Sequence, residues 1–256
     1  MKKMIISGNW KMHKTLDESV AFADELRRVL GDLDSALEVV VFPSFPSIAW
    51  VSDRLHGSSV KVGAQDVSEH EDGAFTGEVS CLMLKSVGCE YVILGHPERR
   101  ENFHETDHMV NKKARLALSH GLKPIICIGE LVDEPIESVE IFIREQLQDV
   151  LSDISSDEVR NVTFAYEPSW AVGSGKNPTP ERVDQVHAYI RKILAEMYDE
   201  NIAKDLLIQY GGSITAANVE EYVQQPNING VLVGGASLDI PSFRKVVETA
   251  QKYTQG

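Results

Sequence analysis

Pro124-Ile125-Ile126-Cys127-Ile128 is followed by the helical periodicity of Ile136–Leu151 and then by a second apolar run, Val162–Ala165. The three segments read strand, helix, strand. A run such as Ile125-Ile126-Cys127-Ile128, apolar at every position, suits a strand covered on both faces, as in a parallel sheet whose crossovers are helices. Working outward, comparable runs occur at Met4–Ser7, Val39–Phe42, Val60–Gly63, Tyr91–Leu94, Leu206–Gln209 and Gly230–Val233, which brings the total to eight. Helical periodicity also marks Leu16–Leu30, Glu181–Tyr198 and Pro241–Tyr253.

Helix starts carry the expected chemistry. Thr15-Leu16-Asp17-Glu18 fits a capping box, and Thr179-Pro180-Glu181 puts a hydroxyl cap before a proline at the first helical position. Eight strand–helix units can close into a (β/α)8 barrel, and a length of 256 residues suits one such domain spanning 1–256. Periodicity alone also allows an open doubly wound sheet, but the count of eight favours closure. No Pro/Gly/Ser linker, low-complexity tract or residue-level repeat points to a second domain.

The chain has 25 Lys plus Arg against 39 Asp plus Glu, a formal net charge of -14, and no basic cluster of the kind that tracks a nucleic-acid backbone. Such a field repels anions at long range, so any phosphate site must rely on local backbone N–H groups and a placed lysine. Cys81, Cys89 and Cys127 are spaced like neither a metal knuckle nor a redox pair and suggest a reducing cytosol. The N-terminal apolar run is too short for a signal peptide, and no stretch is long enough to span a membrane. The expectation is a cytoplasmic enzyme without metal or cofactor.

Barrel enzymes build their sites at the C-terminal ends of the strands. Read there, the first strand is followed by Asn9 and Lys11, the fourth by Gly95-His96-Pro97-Glu98-Arg99-Arg100, and the sixth by Tyr166-Glu167-Pro168. The seventh is followed by Tyr210-Gly211-Gly212-Ser213 and the eighth by Gly234-Gly235. Singly, Lys11 reads as a solvated loop lysine, His96 as a structural histidine, Glu167 as a surface acid and the glycine pairs as turns. Their convergence on one rim points instead to an anion site with an acid/base group.

Gly211-Gly212-Ser213 and Gly234-Gly235, each expected to lead into a helix, would expose N–H groups where the helix dipole also favours an anion. They lack the Lys-Ser/Thr ending of a nucleotide loop. Glu167, a lone carboxylate, suits removal of a proton next to a carbonyl, whereas glycoside hydrolysis needs a carboxylate pair. His96 precedes a short helix whose positive end disfavours imidazolium, so a neutral ring would donate to a developing enediolate oxygen. Lys11 adds positive charge, and Glu98 reads as the ion-pairing residue that orients it. The segment 168–178, held between prolines and containing Gly173 and Gly175, reads as a lid whose closure excludes water while the Gly173 N–H reaches the phosphate.

Gly8-Asn9-Trp10-Lys11-Met12, Ala74-Phe75-Thr76-Gly77-Glu78, Ile93-Leu94-Gly95-His96-Pro97-Glu98-Arg99-Arg100, Ala165-Tyr166-Glu167-Pro168-Ser169-Trp170-Ala171, Tyr210-Gly211-Gly212-Ser213 and Gly234-Gly235-Ala236-Ser237-Leu238 together resemble the triosephosphate isomerase family. That family is a well-known case of a glutamate base, a neutral histidine and a closing loop, so these roles come partly with the resemblance. The resemblance implies a single-domain TIM barrel that interconverts dihydroxyacetone phosphate and glyceraldehyde 3-phosphate in glycolysis and gluconeogenesis. Lys11, His96 and Glu167 would be catalytic; Asn9 and Lys11 would contact substrate; Gly173, Ser213, Gly234 and Gly235 would hold the phosphate, with Tyr210 in support. A homodimer is also implied, in which the loop Gln65 to Glu78 brings Thr76 near the neighbouring subunit's Asn9 and Lys11.

Four positions depart from the family pattern: Pro97 for serine, Asp66 for asparagine, Ser169 for a bulky aliphatic residue and Leu131 for threonine. The competing readings are an isomerase of a tetrulose phosphate, a Schiff-base aldolase and a non-catalytic phosphate-binding barrel. The aldolase would need a buried strand-end lysine, where the sixth strand offers Glu167.

Overall fold

The computed structural model describes residues 2–254. Eight parallel strands close on themselves in sequence order: β1 (Met4–Asn9), β2 (Leu37–Phe42), β3 (Val60–Ala64), β4 (Tyr91–Leu94), β5 (Lys123–Ile128), β6 (Thr163–Tyr166), β7 (Leu207–Gly211) and β8 (Gly230–Val233). Closure comes from β8 pairing with β1, Ile6 lying opposite Val231 and Gly8 opposite Val233. The open doubly wound alternative is thereby excluded.

Crossovers are supplied chiefly by α1 (Leu16–Leu30), α2 (Ile48–Leu55), α3 (Cys81–Ser86), α4 (Pro97–Phe103), α5 (Asp107–Ser119), α6 (Ile136–Val150), α7 (Pro180–Met197), α8 (Glu200–Asp205) and α9 (Val219–Val223); α10 (Ile240–Gln251) follows β8. The capping box forms, with Thr15 and Glu18 each answering the other's backbone N–H, and such a cap stabilises its helix by about 1 kcal/mol. Thr179 caps α7 as its sequence requires.

The all-apolar β5 divides cleanly between two cores. Ile125 and Cys127 turn into the barrel beside Ile5, Val40, Phe42, Ile93 and Ala165, while Ile126 and Ile128 turn outward into the larger layer beneath the helices. Both faces of the strand are buried, which is why it lacks polar alternation. Cys81, Cys89 and Cys127 are all free and buried. Among the described residues, no helix is long and apolar enough to cross a membrane.

At the mouth, four strands run further than their apolar stretches suggest, β3 by Ala64 alone. Asn9 is the last residue of β1, Tyr166 the last of β6, and Tyr210 and Gly211 the last of β7, so these residues belong to the strands they were expected to follow. Parallel pairing uses the backbone, so a polar side chain or a glycine does not end it: Asn9 remains opposite Phe42 and Gly211 opposite Leu232.

Candidate active site

A cavity of about 210 Å³ opens at the C-terminal ends of the strands, lined by Asn9, Lys11, His96, Glu167, Gly173, Ser213, Gly234 and Gly235. His96 is the cap of α4 and has Pro97 at the first helical position behind it. Its Nδ1 accepts the Glu98 N–H at 3.2 Å, which leaves the ring proton on Nε2 and the ring neutral. Nε2 lies 3.5 Å from Oε2 of Glu167, and both side chains are almost wholly buried. The Oε1 atom of Glu167 is buried without a protein hydrogen-bond partner. A carboxylate at the cavity wall beside a neutral imidazole can take a proton from a molecule held there.

Gly211 makes the close approach possible. A Cβ on it would lie 2.4 Å from Cγ of Glu167. Beneath lies Cys127, whose thiol is pushed well up by burial and then by the Glu167 charge, so it stays protonated beside the carboxylate.

Lys11 holds a left-handed backbone, φ 52°, which costs a residue of this kind about 1–3 kcal/mol. Two side chains hold it there. Asn9 Oδ1 accepts the Lys11 N–H at 2.9 Å, and Gln65 Nε2 donates to the Lys11 carbonyl at 2.8 Å and to that of Phe42 at 2.9 Å. The ammonium pairs with Glu98, as the sequence suggested. Backbone strain thus aims a positive charge into the cavity mouth.

The segment 168–178 contains neither helix nor strand. Its first half is tied down by Glu130, whose backbone carbonyl accepts the Ser169 N–H at 2.9 Å and whose carboxylate accepts from Trp170 at 3.1 Å and from the Tyr166 hydroxyl at 3.0 Å. Burial, then the Glu130 charge, pushes the Tyr166 phenol upward, so it remains a donor. Ser213 meets the lid with its hydroxyl, which donates to the Ala171 carbonyl at 2.9 Å and accepts from the Gly175 N–H at 3.0 Å.

One expectation about the anion cradle fails. Gly211-Gly212-Ser213 does not lead into a helix, since α9 begins only at Val219; the turn between them offers N–H groups but no helix dipole. Gly235 does open a short 3-10 helix, Gly235–Leu238.

A lone glutamate, a neutral histidine and an ion-paired lysine stand around a small cavity rimmed by glycines, an arrangement that can serve acid–base chemistry on a small anion. Comparison with known proteins makes the kinship specific: the family model described as Triosephosphate isomerase matches residues 4–250. The chain belongs to the triosephosphate isomerase family. It is 42% identical over 252 residues to the triosephosphate isomerase of Chloroherpeton thalassium, covering 98% of this chain and 100% of that one. It is 43% identical over 249 residues to the enzyme of the same name from Carboxydothermus hydrogenoformans, with 97% and 99% covered. The Acetivibrio thermocellus protein is 45% identical over 248 residues, with 96% and 98% covered.

The fold brings together eight of the eleven residues given a catalytic, binding or supporting role in the sequence, with Gly212 beside them, and leaves the other three outside the cavity lining. Glu98 acts on Lys11 and on His96 from outside. Tyr210 is buried below, its phenol pushed up by burial, donating to Asn177 at 2.9 Å. Thr76 stands exposed on the loop 65–78. Gln65, Glu130 and Asn177 were not foreseen: each is a loop residue that acts through tertiary hydrogen bonds, and no periodicity marks it. Of the departures, Leu131 and Ser169 line a separate cavity of about 540 Å³ behind the lid, with Trp170 and Phe142.

Proposed function

We propose that this chain interconverts dihydroxyacetone phosphate and glyceraldehyde 3-phosphate. The observation that carries the reading is the buried pair Glu167–His96, 3.5 Å apart, both lining a cavity that Lys11 also lines. Family membership supplies the substrate; the chemistry follows from the residues.

Glu167 takes a proton from the carbon beside the carbonyl. The C–H pair becomes the C=C bond of an enediolate, and the carbonyl π pair moves onto oxygen. The Nε2–H of His96 and the Lys11 ammonium meet that oxygen, in a site with little water to compete. A proton then passes between the two oxygens, and Glu167 returns its proton to the neighbouring carbon. Hydrogen is only relocated within the molecule, so the balance requires no co-reactant. Asn9 contacts the substrate and fixes Lys11, while Gly173, Ser213, Gly234 and Gly235 hold the phosphate.

A homodimer belongs to the same proposal, a second copy bringing Thr76 beside Asn9 and Lys11, and the enzyme works in the cytoplasm. The test is a coupled assay with glyceraldehyde 3-phosphate, run on wild type and on Glu167→Gln. Loss of the base should lower kcat by about 10²- to 10⁴-fold. Wild-type turnover no faster than the variant's would end the isomerase reading, and turnover of a tetrulose phosphate alone would change its substrate.

A further inference from the structure

Leu131 and Ser169, two of the four positions at which the sequence departs from its family, line one cavity, the space of about 540 Å³ behind the lid. No residue lines both this space and the cavity that holds Glu167. Its volume is that of a small-molecule site, and separate parts of the barrel build it. The lid gives Ser169 and Trp170, the loop after β5 gives Gly129 and Leu131, and α6 gives Phe142 and Gln146. Arg100 and Glu101 come from α4, and Asp107 opens α5. Both departures suit an apolar occupant. A serine at 169 leaves room that a bulky aliphatic side chain would take, and a leucine at 131 presents carbon where threonine would present a hydroxyl.

The polar groups decide what the space can hold. Arg100 is committed within the chain: its Nε donates to the Gly95 carbonyl at 2.7 Å, its Nη1 to Asp107 at 2.6 Å and its Nη2 to the Cys127 carbonyl at 3.2 Å. Asp107 is thereby compensated, while Glu101 is exposed and forms no ion pair among the described residues. The uncompensated charge on the lining is therefore negative, and the ring faces of Trp170 and Phe142 also favour a cation. Gln146 is buried, and its Oε1 accepts the Gly129 N–H at 2.9 Å. Its Nε2 donates to no group among the described residues and suits an acceptor oxygen on a ligand. We propose that this cavity is a second binding site, for a small aromatic amine whose ring packs among Leu131, Phe142 and Trp170 and whose ammonium meets Glu101.

Occupancy reaches the lid directly. Ser169 and Trp170 are the lid residues that Glu130 ties down, so a molecule packed against them holds the root of the lid where it stands. The amine thus slows turnover without meeting the substrate. That effect rests on the isomerase reading; the binding itself does not.

The experiment titrates the protein by calorimetry with tyramine and with phloretate, which carries a carboxylate in place of the ammonium on the same hydroxyphenyl body. Tyramine should bind with a Kd of about 0.1–1 mM, the strength open to a ligand of its size, and phloretate about tenfold more weakly or not at all. Glu101→Gln, at an exposed position, should weaken tyramine about two- to fivefold. Leu131→Thr should weaken it by a similar factor through lost apolar contact, and Ser169→Val, which fills the space, should abolish it. Both restore the residue type usual in the family, and Leu131→Thr decides the matter if Ser169→Val does not fold. Saturating tyramine should lower wild-type kcat about two- to tenfold with KM little changed. Equal binding of phloretate, tyramine binding that survives all three substitutions, or no binding up to about 10 mM would overturn the site. A rise in KM alone would put the amine in the catalytic cavity and overturn it too, and bound tyramine with unchanged kcat would overturn the restraint on the lid. An inactive wild type would refute the isomerase reading instead, while the titrations would still test the site.

Discussion

Pro97 sits one residue from His96, buried at the first position of α4, where it leaves no N–H and no hydroxyl to point at the mouth. The first turn of α4 keeps its function without them, because the Glu98 N–H reaches His96 Nδ1. What the proline removes, relative to a serine, is a hydroxyl and an N–H one residue from the His96 that meets Glu167. If those groups in a serine hold Glu167 before substrate arrives, substrate must displace them; Pro97→Ser should then raise KM for both triose phosphates about two- to tenfold with a smaller effect on kcat. Unchanged constants in steady-state assays would show the position to be neutral. Lys11, His96 and Glu167 could be read from the sequence because each follows an apolar run closely and ends at a rim where chemistry is expected. Asn177, Gln65 and Glu130 could not, since what distinguishes them is a partner 23 to 54 residues away, as in the bonds from Gln65 to Phe42 and Lys11.

Among elements, the apolar cores of all eight strands were legible because burial on both faces imposes their composition, whereas the ends of β1, β6 and β7 were not, because hydrogen bonding continues there through Asn9, Tyr166 and Gly211. The loop 65–78 shows a similar limit: its length is visible, its anchorage is not. Asp66 joins it to α4 and α5, bonded to Arg99 at 2.7 Å and to Lys113 at 2.7 Å, while Lys113 also pairs with Glu105 and Glu105 accepts the Gly95 N–H at 3.0 Å. Burial outweighs these two cations and, with Glu105 adding to it, raises the Asp66 pKa. The folded state therefore binds a proton that the unfolded state has already lost, so the stability contributed by Asp66 is full below about pH 4 and declines as pH rises through the raised value. Asp66→Asn removes that decline. Urea midpoints of the two proteins from pH 4 to pH 8 should shift steadily in favour of the variant; a flat difference, or one moving toward wild type, would mean that the ion pairs outweigh burial.

For the whole molecule, closure of the barrel was foreseen from the strand count, but nothing in the strand–helix pattern says which of its sides meets another protein. Met12 is 95% exposed, Leu82 55% and Met83 57%, with Phe45 and Phe75 also open to solvent. All five belong to the first three strand–helix units, which are neighbours in the barrel, and the loop bearing Phe75 also bears Thr76. Phe103, Leu131, Val132 and Ile141 are exposed elsewhere, but only the first group adjoins the loop that the proposed homodimer uses, and a two-fold pair of identical chains would cover that surface on both. Each copy carries a formal charge of -14, so such a pair would have to hold together through apolar contact against mutual repulsion, and one more acid on this face would act on both terms. Met83→Glu, on α3 and away from Lys11, should yield a monomer by sedimentation equilibrium with its circular dichroism unchanged. Met12→Glu should do the same, and having almost no contacts within its own chain it puts the fold at little risk. If the second copy steadies Lys11 through Thr76, both variants should lose about 10²-fold in kcat/KM, the scale on which a catalytic group misplaced by an ångström costs rate. A dimer that survives both substitutions would move the interface elsewhere, and a monomer of full activity would show that each barrel holds Lys11 unaided, through Asn9 and Gln65 alone.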